Sequence, residues 1–241
     1  MPIAHYLAMT AAEMAGNSAF PRHAAWMACH FSPSGVGLSN LPNWLPPDCL
    51  LILDDSTPIH DHAPERIASE LSGCMEKFQC AGLLLDFQRP GEAQTRELTA
   101  HLCEALPSPV VVSDVYAEGL DCPVFLSPVA PDEAMVSRLA RWRGREIWLD
   151  TTMEGLEILL TEKGANSTPL PHQTFPDCGL EDGALHCHYR ISQQENSAVF
   201  TLWRTRSDIC AQLEEAEALG VTAAVGLYQE FGSPPPEAEE G

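Results

Sequence analysis

Short apolar segments alternate with amphipathic stretches along most of the chain, and this alternation restricts the fold more than any other feature. Several of the segments are continuously apolar, among them Leu50–Asp54 (LLILD) and Gly82–Phe87 (GLLLDF). Strands of a parallel sheet have this character when helices cover both faces of the sheet. The sequence therefore predicts an α/β fold built from βα units.

The pattern predicts the following strands: Ala25–Phe31, Leu50–Asp54, Gly82–Phe87, Pro109–Ser113, Val124–Leu126, Glu146–Leu149, Leu185–Ile191 with Ala198–Trp203, and Ala223–Tyr228. It predicts the following helices: Pro64–Phe78, Glu92–Ala105, Asp132–Trp142 and Ser207–Leu219. The alternation fails in two regions. The proline-rich connection between Trp44 and Asp54 is too short for a full helix, and no long helix is evident between Leu149 and Trp203.

Within the second region, Glu157–Glu162 is predicted as an extended strand and Gly164–Gly183 as a loop. The segments His186–Ile191 and Val199–Trp203 are predicted to form a hairpin. The 241 residues suit one TIM barrel of the (β/α)8 type, which typically takes about 250 residues. We therefore expect an irregular barrel in which some helices are missing or are replaced by loops and a hairpin. It would form a single domain over residues 1–232, followed by a disordered acidic tail at 233–241.

Charge and cysteine content exclude several classes of function. The formal net charge of −21 makes a nucleic acid an improbable partner and disfavours an anionic membrane surface. No apolar run approaches the roughly 20 residues of a membrane span. The nine cysteines are odd in number, scattered and without a CxxC motif, so we expect reduced, mostly buried thiols. With no signal-peptide pattern at the start of the chain, a cytoplasmic location is expected.

The segment Gly82–Pro90 (GLLLDFQRP) resembles the signature of the family 18 glycoside hydrolases, the chitinase-like barrels. That signature, DGxDxDxE on the fourth barrel strand, places its glycine on Gly82 and its last aspartate on Asp86. Its glutamate falls on Gln88. The segment from Gly220 to Gly232 is similar to the family's last strand, and Tyr228 stands where the family has a tryptophan at the floor of the sugar site. In topology the resemblance extends over residues 24–232.

Three departures from the signature bear on function, because Ala81, Leu84 and Gln88 replace the first aspartate, the middle aspartate and the glutamate. In the family the glutamate protonates the leaving glycosidic oxygen, and a neutral amide is no proton donor near physiological pH. Alternation with period two still places Leu84, Asp86 and Gln88 on the inward face. The resemblance thus implies a degenerate chitinase-like barrel without glycosidase activity, which binds a glycan or a similar polar ligand at its C-terminal mouth.

Active sites of such barrels lie where the strands end, and the polar residues at these positions also include His30, Asp55 and Asp150. The predicted ligand-binding residues are Asp54, Asp86, Gln88, Asp114, Tyr116 and Tyr228. No catalytic residue and no cofactor are predicted.

Two other functions stay open on the sequence alone. One is an active hydrolase that uses other strand-end carboxylates, with or without a metal held by His60 and His62 or by His186 and His188. The first histidine pair falls at a helix start, and the second has no matching ligand cluster, so no metal site is predicted. The other alternative is a protein-interaction scaffold with a filled barrel mouth and an exposed apolar patch elsewhere.

Overall fold

A computed structural model describes residues 3–34, 37–57, 59, 63–106, 109–170, 175 and 179–231. The strands are β1 (Ala4–Met9), β2 (Ala24–Phe31), β3 (Leu38–Ser39), β4 (Leu50–Asp54), β5 (Gly82–Asp86), β6 (Val110–Ser113), β7 (Val124–Leu126), β8 (Ile147–Asp150), β9 (Gly155–Thr161), β10 (Gly164–Leu170), β11 (Leu180–Asp182), β12 (Cys187–Gln194), β13 (Ser197–Trp203) and β14 (Ala223–Leu227). The helices are α1 (Ala11–Gly16), α2 (Pro64–Phe78), α3 (Ala93–Ala105), α4 (Met135–Leu139) with a 3₁₀ turn at Ala140–Trp142, α5 (Arg206–Ala218) and α6 (Tyr228–Phe231).

Eight of the described strands are parallel and close into a barrel. Their order around the barrel is β1, β2, β4, β5, β6, β7, β8 and β14, and β14 pairs back with β1. The short β3 adds to β2 in the antiparallel sense. The predicted TIM-barrel fold is thereby confirmed.

The first barrel strand, Ala4–Met9, was not predicted from the sequence. It pairs in parallel with β2 and with β14 and so closes the barrel. The prediction had instead counted the hairpin at residues 185–203 among the barrel strands. The structure places this hairpin outside the barrel. Counting Ala4–Met9 makes Gly82–Asp86 the fourth barrel strand, the position that the family signature occupies.

Two apolar layers hold the barrel together. Alternate residues of the strands fill its interior: Ala8, Ala25, Leu50, Ile52, Leu84, Val111, Phe125, Trp148, Ala223 and Val225. The opposite faces of the same strands pack on the helices, and Leu53, Leu85 and Leu149 are completely buried there. Because both faces are covered, strands such as LLILD and GLLLD carry apolar residues at every position up to the terminal aspartate.

A second sheet is inserted between β8 and α5. In the described residues it is antiparallel, with the order β10, β9, β13, β12 and β11. The predicted hairpin is present as β12 and β13, and the predicted strand at Glu157–Glu162 corresponds to β9. The prediction of a loop over Gly164–Gly183 was wrong where the chain is described, because β10 and β11 lie there. Both are largely exposed and lack an apolar pattern.

The four predicted helices are present, α2 with the predicted ends and the others with shifted ends, whereas the short helices α1 and α6 were not predicted. Pro64 occupies the first turn of α2, as expected. The predicted helix Asp132–Trp142 begins only at Met135. The connection from β2 to β4 holds no helix in its described part. Among the described residues, no helix has the length and apolar character needed to cross a membrane. The predicted tail at 233–241 lies outside the described residues.

Candidate functional site: the barrel mouth

A cavity of about 140 Å³ opens at the C-terminal ends of the barrel strands. Its lining is apolar below and polar at the rim, where Asp54, Asp86, Asp150 and Thr152 lie. The apolar part is formed by Ala8, Met27, Ile52, Leu84, Phe125, Val225 and Leu227. We call this cavity with its three aspartates the mouth site. It is smaller than the roughly 300–1,000 Å³ of a typical small-molecule pocket, so it has room for one group of a larger ligand.

Strand register brings two of the aspartates together. Asp54 ends β4 and Asp86 ends β5, and the two are direct partners in the parallel ladder. Neighbouring strands lie about 4.8 Å apart, so both side chains leave the sheet side by side. Leu84 precedes Asp86 by two residues and forms part of the cavity floor. Of the three residues predicted to share the inward face, Leu84 and Asp86 line the cavity, whereas Gln88 follows the end of β5 and is not among the lining residues.

Asp86 forms a hydrogen-bonded pair with Gln88. The Gln88 amide nitrogen donates to Asp86 Oδ1 at 2.5 Å. Burial raises the pKa of Asp86, the Gln88 hydrogen bond opposes this, and the charges of Asp54 and Asp55 add to the rise. Gln88 itself is exposed at the rim. The Gln88 amide therefore donates a hydrogen bond to Asp86, which an ionised glutamate at position 88 could not do.

Among the described aspartates, Asp150 has the pKa that is raised furthest. Burial raises it from the usual 3.8 to about 7, against hydrogen bonds from Thr152, while the charges of Asp86 and Glu154 raise it further. The Thr152 backbone nitrogen and hydroxyl both donate to Asp150 Oδ1, at 2.8 and 2.6 Å. A carboxyl group with this pKa exchanges its proton near neutral pH, as a general acid or base must.

Asp55 has a different task from its neighbour Asp54. It is only 4% exposed, and its two carboxylate oxygens accept from the backbone nitrogens of Gln88 and Arg89, at 3.1 and 2.9 Å. These bonds fix the segment that follows β5. Asp55 therefore positions Gln88 from the adjacent strand without lining the cavity.

Asp114 and Tyr116, two of the predicted ligand-binding residues, lie elsewhere. Asp114 pairs with Arg138 at 3.2 Å and accepts from Ser127 at 3.4 Å. Tyr116 is buried, and its hydroxyl donates to the backbone oxygen of Arg89. Since the chain turns back directly after β6, both side chains join loops together and neither lines the described cavity.

Tyr228 also lies outside the cavity. The inward residues of β14 are Ala223, Val225 and Leu227, so period two directs the next residue away from the interior. The Tyr228 hydroxyl donates to Asn17 Oδ1 at 3.3 Å, and its ring packs at the edge of the outer apolar layer. Of Asp86, Gln88 and Tyr228, which were expected to converge on one pocket, Asp86 alone lines the described cavity, and Gln88 is connected to it through its hydrogen bond to Asp86.

The histidines considered as metal ligands fall into two groups. His60 and His62 lie outside the described residues. His186 lies against Glu215 at 3.2 Å, whereas His188 Nδ1 is 2.8 Å from Asp208. The two imidazoles therefore contact different carboxylates. Among the described residues, no group of three or more His, Cys, Asp or Glu side chains has an arrangement that could hold a metal ion.

Sequence reasoning missed the importance of Asp150. It follows the apolar run Ile147–Leu149 at a strand end, so the available signal was the same as for Asp54 and Asp86. The raised pKa of Asp150 comes mainly from burial at the barrel mouth, and the nearby charge of Asp86, on another strand of the barrel, adds to it. That proximity follows from barrel closure and leaves no local mark in the sequence.

No protein-family model matches this chain, and no curated protein matches its sequence. Solved structures resemble it in fold. The spore cortex-lytic enzyme SleL of Bacillus cereus has a TM-score of 0.56 at 10% identity, over 97% of this chain and 72% of that one. A chitinase from Chromobacterium violaceum has a TM-score of 0.52 at 10% identity, over 93% of both chains.

A third structure is a family 18 chitinase from Cycas revoluta in complex with (GlcNAc)4, in a double mutant that includes a glutamate-to-glutamine change. Its TM-score is 0.52 at 12% identity, over 92% of this chain and 94% of that one. At such low identities the likeness concerns the fold. The chain has a TIM barrel of the type found in chitinase-like glycoside hydrolases of family 18.

Proposed function

We propose that this protein is a degenerate chitinase-like barrel that binds an oligosaccharide at the mouth site without hydrolysing it. The observation that carries the proposal is the hydrogen-bonded pair Asp86–Gln88 at the end of the fourth strand, in which Asp86 lines the cavity. The pair occupies the positions of the last aspartate and the glutamate in the family signature. It offers both hydrogen-bond donors and acceptors to sugar hydroxyl and amide groups.

The same pair argues against the family's usual reaction. A glutamine amide cannot deliver a proton to a leaving glycosidic oxygen, and general acid–base groups supply about 10²–10⁴-fold in rate. Leu84, an apolar residue of the cavity floor, stands where the family has the middle aspartate. In the family that aspartate helps to orient the acetamide group of the substrate, so the site lacks both this carboxyl group and the one that the resemblance assigns to proton donation.

The charge of the mouth site restricts the ligand. Three aspartates line it, and no basic side chain is among the described lining residues. An anionic sugar would meet repulsion there, whereas a neutral N-acetylated sugar or an amine-bearing sugar would not. The small volume fits one sugar unit or substituent, with the rest of the chain lying across the rim. The Cycas revoluta mutant with (GlcNAc)4 supports the choice of this oligosaccharide as the first probe.

Asp150 supports a second candidate function, that of an active hydrolase with a replaced acid. Its pKa of about 7 leaves much of this carboxyl protonated at neutral pH, with Asp86 close enough to influence it electrostatically. A protonated carboxyl beside an ionised one is the arrangement that glycoside hydrolysis requires. In this candidate Asp150 would act as the proton donor and Asp86 as the charged partner.

Calorimetric titration with (GlcNAc)4 and its fully deacetylated analogue tests the first proposal. We expect binding by the wild type and about tenfold weaker binding by Asp86→Asn and by Gln88→Ala, since each loses a hydrogen bond to the ligand or to its partner. Glu157→Gln, an exposed change on β9, is the matched control and should bind like the wild type. Equal affinities in all four proteins would contradict binding at the mouth site.

Product analysis of the same mixtures separates the two candidates. Intact tetrasaccharide after prolonged incubation supports a binding protein. Shorter products that disappear in Asp150→Asn, at a rate that declines above about pH 7, would support the hydrolase instead.

A further inference from the structure

Positive charge is concentrated in one short segment of this acidic chain. Four of its 13 lysine and arginine residues lie between the last turn of α4 and the start of β8: Arg138, Arg141, Arg143 and Arg145. Because the segment leads into β8, it lies at the N-terminal end of the barrel, opposite the mouth site. The two ends of the barrel thus differ in charge, since three aspartates line the mouth site.

The four arginines differ in their partners. Arg138 forms an ion pair with Asp114 at 3.2 Å, and Arg141 lies 3.6 Å from Glu118. Arg143 is exposed, and no carboxylate within the described ranges pairs with it. A guanidinium stays charged at all ordinary pH values. Arg143 is therefore a free positive charge on a protein whose formal net charge is −21.

A tight turn fixes the arrangement of Arg143 and Arg145. The Arg145 backbone nitrogen donates to the Trp142 backbone oxygen at 3.0 Å. Arg143 has φ −54° and ψ 128°, and Gly144 has φ +86°. These angles define a type II turn, whose third residue needs a positive φ and is therefore usually glycine. The Arg145 guanidinium also donates to the Cys122 backbone oxygen and lies 6.0 Å from the centre of the Trp142 ring.

Arg143 and Arg145 line a surface cavity of about 160 Å³ between α4, the start of β8 and the end of α5. The remaining lining residues are apolar residues and glycines: Val136, Leu139, Ala140, Gly144, Ile147, Leu219 and Gly220. Leu139 and Ile147 are buried, whereas Val136 is 56% and Leu219 is 43% exposed. A cavity of about 150 Å³ with apolar walls can hold a benzene molecule. The cavity therefore has room for one bulky apolar side chain.

The carboxylate next to this turn does not neutralise it. Glu146 follows Arg145 directly, but its Oε1 accepts from Trp148 Nε1 at 3.1 Å and from Thr222 Oγ1 at 3.2 Å. These bonds hold the Glu146 carboxylate against the starts of β8 and β14. The pair of guanidinium groups beside the apolar cavity thus keeps its positive charge.

We propose that this cavity binds a segment of an acidic partner protein, in which one bulky apolar side chain is flanked by carboxylates. The apolar side chain fills the cavity against Leu139, Ile147 and Leu219, and the carboxylates pair with Arg143 and Arg145. Guanidinium groups bind carboxylates through two parallel hydrogen bonds. The last carbonyl groups of α5 carry partial negative charge, so the carboxylates lie on the arginine side of the cavity. A long polyanion such as a nucleic acid is disfavoured, because the net charge of −21 repels it outside this surface.

Calorimetric titration of the full-length protein with three synthetic peptides tests the proposal. The first peptide is acetyl-Glu-Glu-Phe-Glu-Glu-amide, the second has alanine in place of phenylalanine, and the third has lysine in place of each glutamate. We expect saturable binding of the first, about tenfold weaker binding of the second because the cavity stays empty, and no binding of the third. No saturable binding of the first peptide, or equal binding of the first two, would overturn the proposal.

Charge reversal locates the binding surface. We expect Arg143→Glu to weaken binding of the first peptide about tenfold or more, since an attraction becomes a repulsion. Arg190→Glu is the matched control, because Arg190 is also exposed but lies on β12 of the inserted sheet. It should bind the peptide like the wild type, and both variants should keep the wild-type melting temperature. Equal losses in the two variants would mean that overall charge attracts the peptide, and the assigned surface would be wrong.

The apolar wall has its own variant, Leu219→Ser. We expect it to weaken binding of the phenylalanine peptide about threefold and to leave the alanine peptide unaffected, since only the former contacts this wall. Sedimentation velocity identifies the other possible occupant. A dimer of this chain that Arg143→Glu abolishes would assign the surface to a second copy and overturn the proposal. These results do not depend on sugar binding, because the two sites lie at opposite ends of the barrel.

Discussion

The barrel and the inserted sheet are built from strands of similar length but in opposite environments. Strands β4 and β5 are buried on both faces up to their terminal aspartates, whereas β10 is exposed at almost every residue. The barrel strands therefore depend on apolar burial and the inserted strands on ladder hydrogen bonds with partial burial. This difference decides where the molecule tolerates substitution and where its charged groups have unusual properties.

A pair of leucine truncations tests this difference, and it has the largest expected effect on the free energy of unfolding. Leu85 on β5 is completely buried, while Leu159 on β9 is 37% exposed. We expect Leu85→Ala to lower the free energy of unfolding by about 2–5 kcal/mol, since it removes buried apolar volume and leaves a cavity. Leu159→Ala should cost less than about 1 kcal/mol, because much of that side chain is already in contact with water. Urea denaturation measures both.

Equal losses in the free energy of unfolding for the two truncations would contradict this difference between the barrel and the inserted sheet. Equal losses would mean that the inserted sheet is covered in solution and contributes as much buried area as the barrel. A small loss for Leu85→Ala alone would mean that the outer layer of the barrel collapses around the missing side chain.

Two glycines, one in the barrel and one in the inserted region, test the same comparison with an effect of intermediate size. A Cβ on Gly226 of β14 would lie 2.6 Å from both the Phe231 ring and Thr151 Oγ1. A Cβ on Gly183, in the inserted region, would have no neighbour within 4 Å. We expect Gly226→Ala to destabilise the protein by about 1–3 kcal/mol through overpacking. Gly183→Ala should stay within about 0.5 kcal/mol of the wild type, as thermal unfolding can determine.

The same contrast explains which strands the sequence revealed. LLILD and GLLLD were predicted because only strands covered on both faces tolerate such uninterrupted apolar runs. Strand β10 (GANSTPL) has neither an apolar run nor alternation, so its place in a sheet follows from pairing with β9 rather than from its own residues. Strand β1 was missed because His5 and Tyr6 interrupt its apolar character.

For the mouth site, strand-end position was a sound guide only where the strand stays regular to its last residue. Asp54 and Asp86 end β4 and β5 in register, and both line the cavity, while their role in ligand binding stays a prediction. Asp114 and Tyr116 lie in the turn directly after β6, where the strand pattern no longer describes the direction of the side chains. Tyr228 was assigned one residue beyond the inward position Leu227, so the expected contact lay on the wrong face.

The last expected effect concerns the charge of Asp150, and it is absent at low pH. The folded state raises the pKa of Asp150 from 3.8 to about 7, so it binds this proton more tightly than the unfolded state does. Stability contributed by this group is therefore present below about pH 4 and is lost as the pH rises to about 7. Asp150→Asn cannot ionise and still offers an oxygen to Thr152.

We expect Asp150→Asn to match the wild type in stability near pH 4 and to exceed it at pH 8 by up to about 4 kcal/mol, which corresponds to a pKa about 3 units above its usual value. The exposed change Glu157→Gln on the inserted sheet should leave the free energy of unfolding within about 0.5 kcal/mol at both pH values. Denaturant titrations at the two pH values measure the differences. A constant gap between Asp150→Asn and the wild type would show that burial at the barrel mouth does not retain the Asp150 proton. The distinction between the electrostatics of the mouth and those of the inserted sheet would then be lost, and with it the argument for Asp150 as a proton donor.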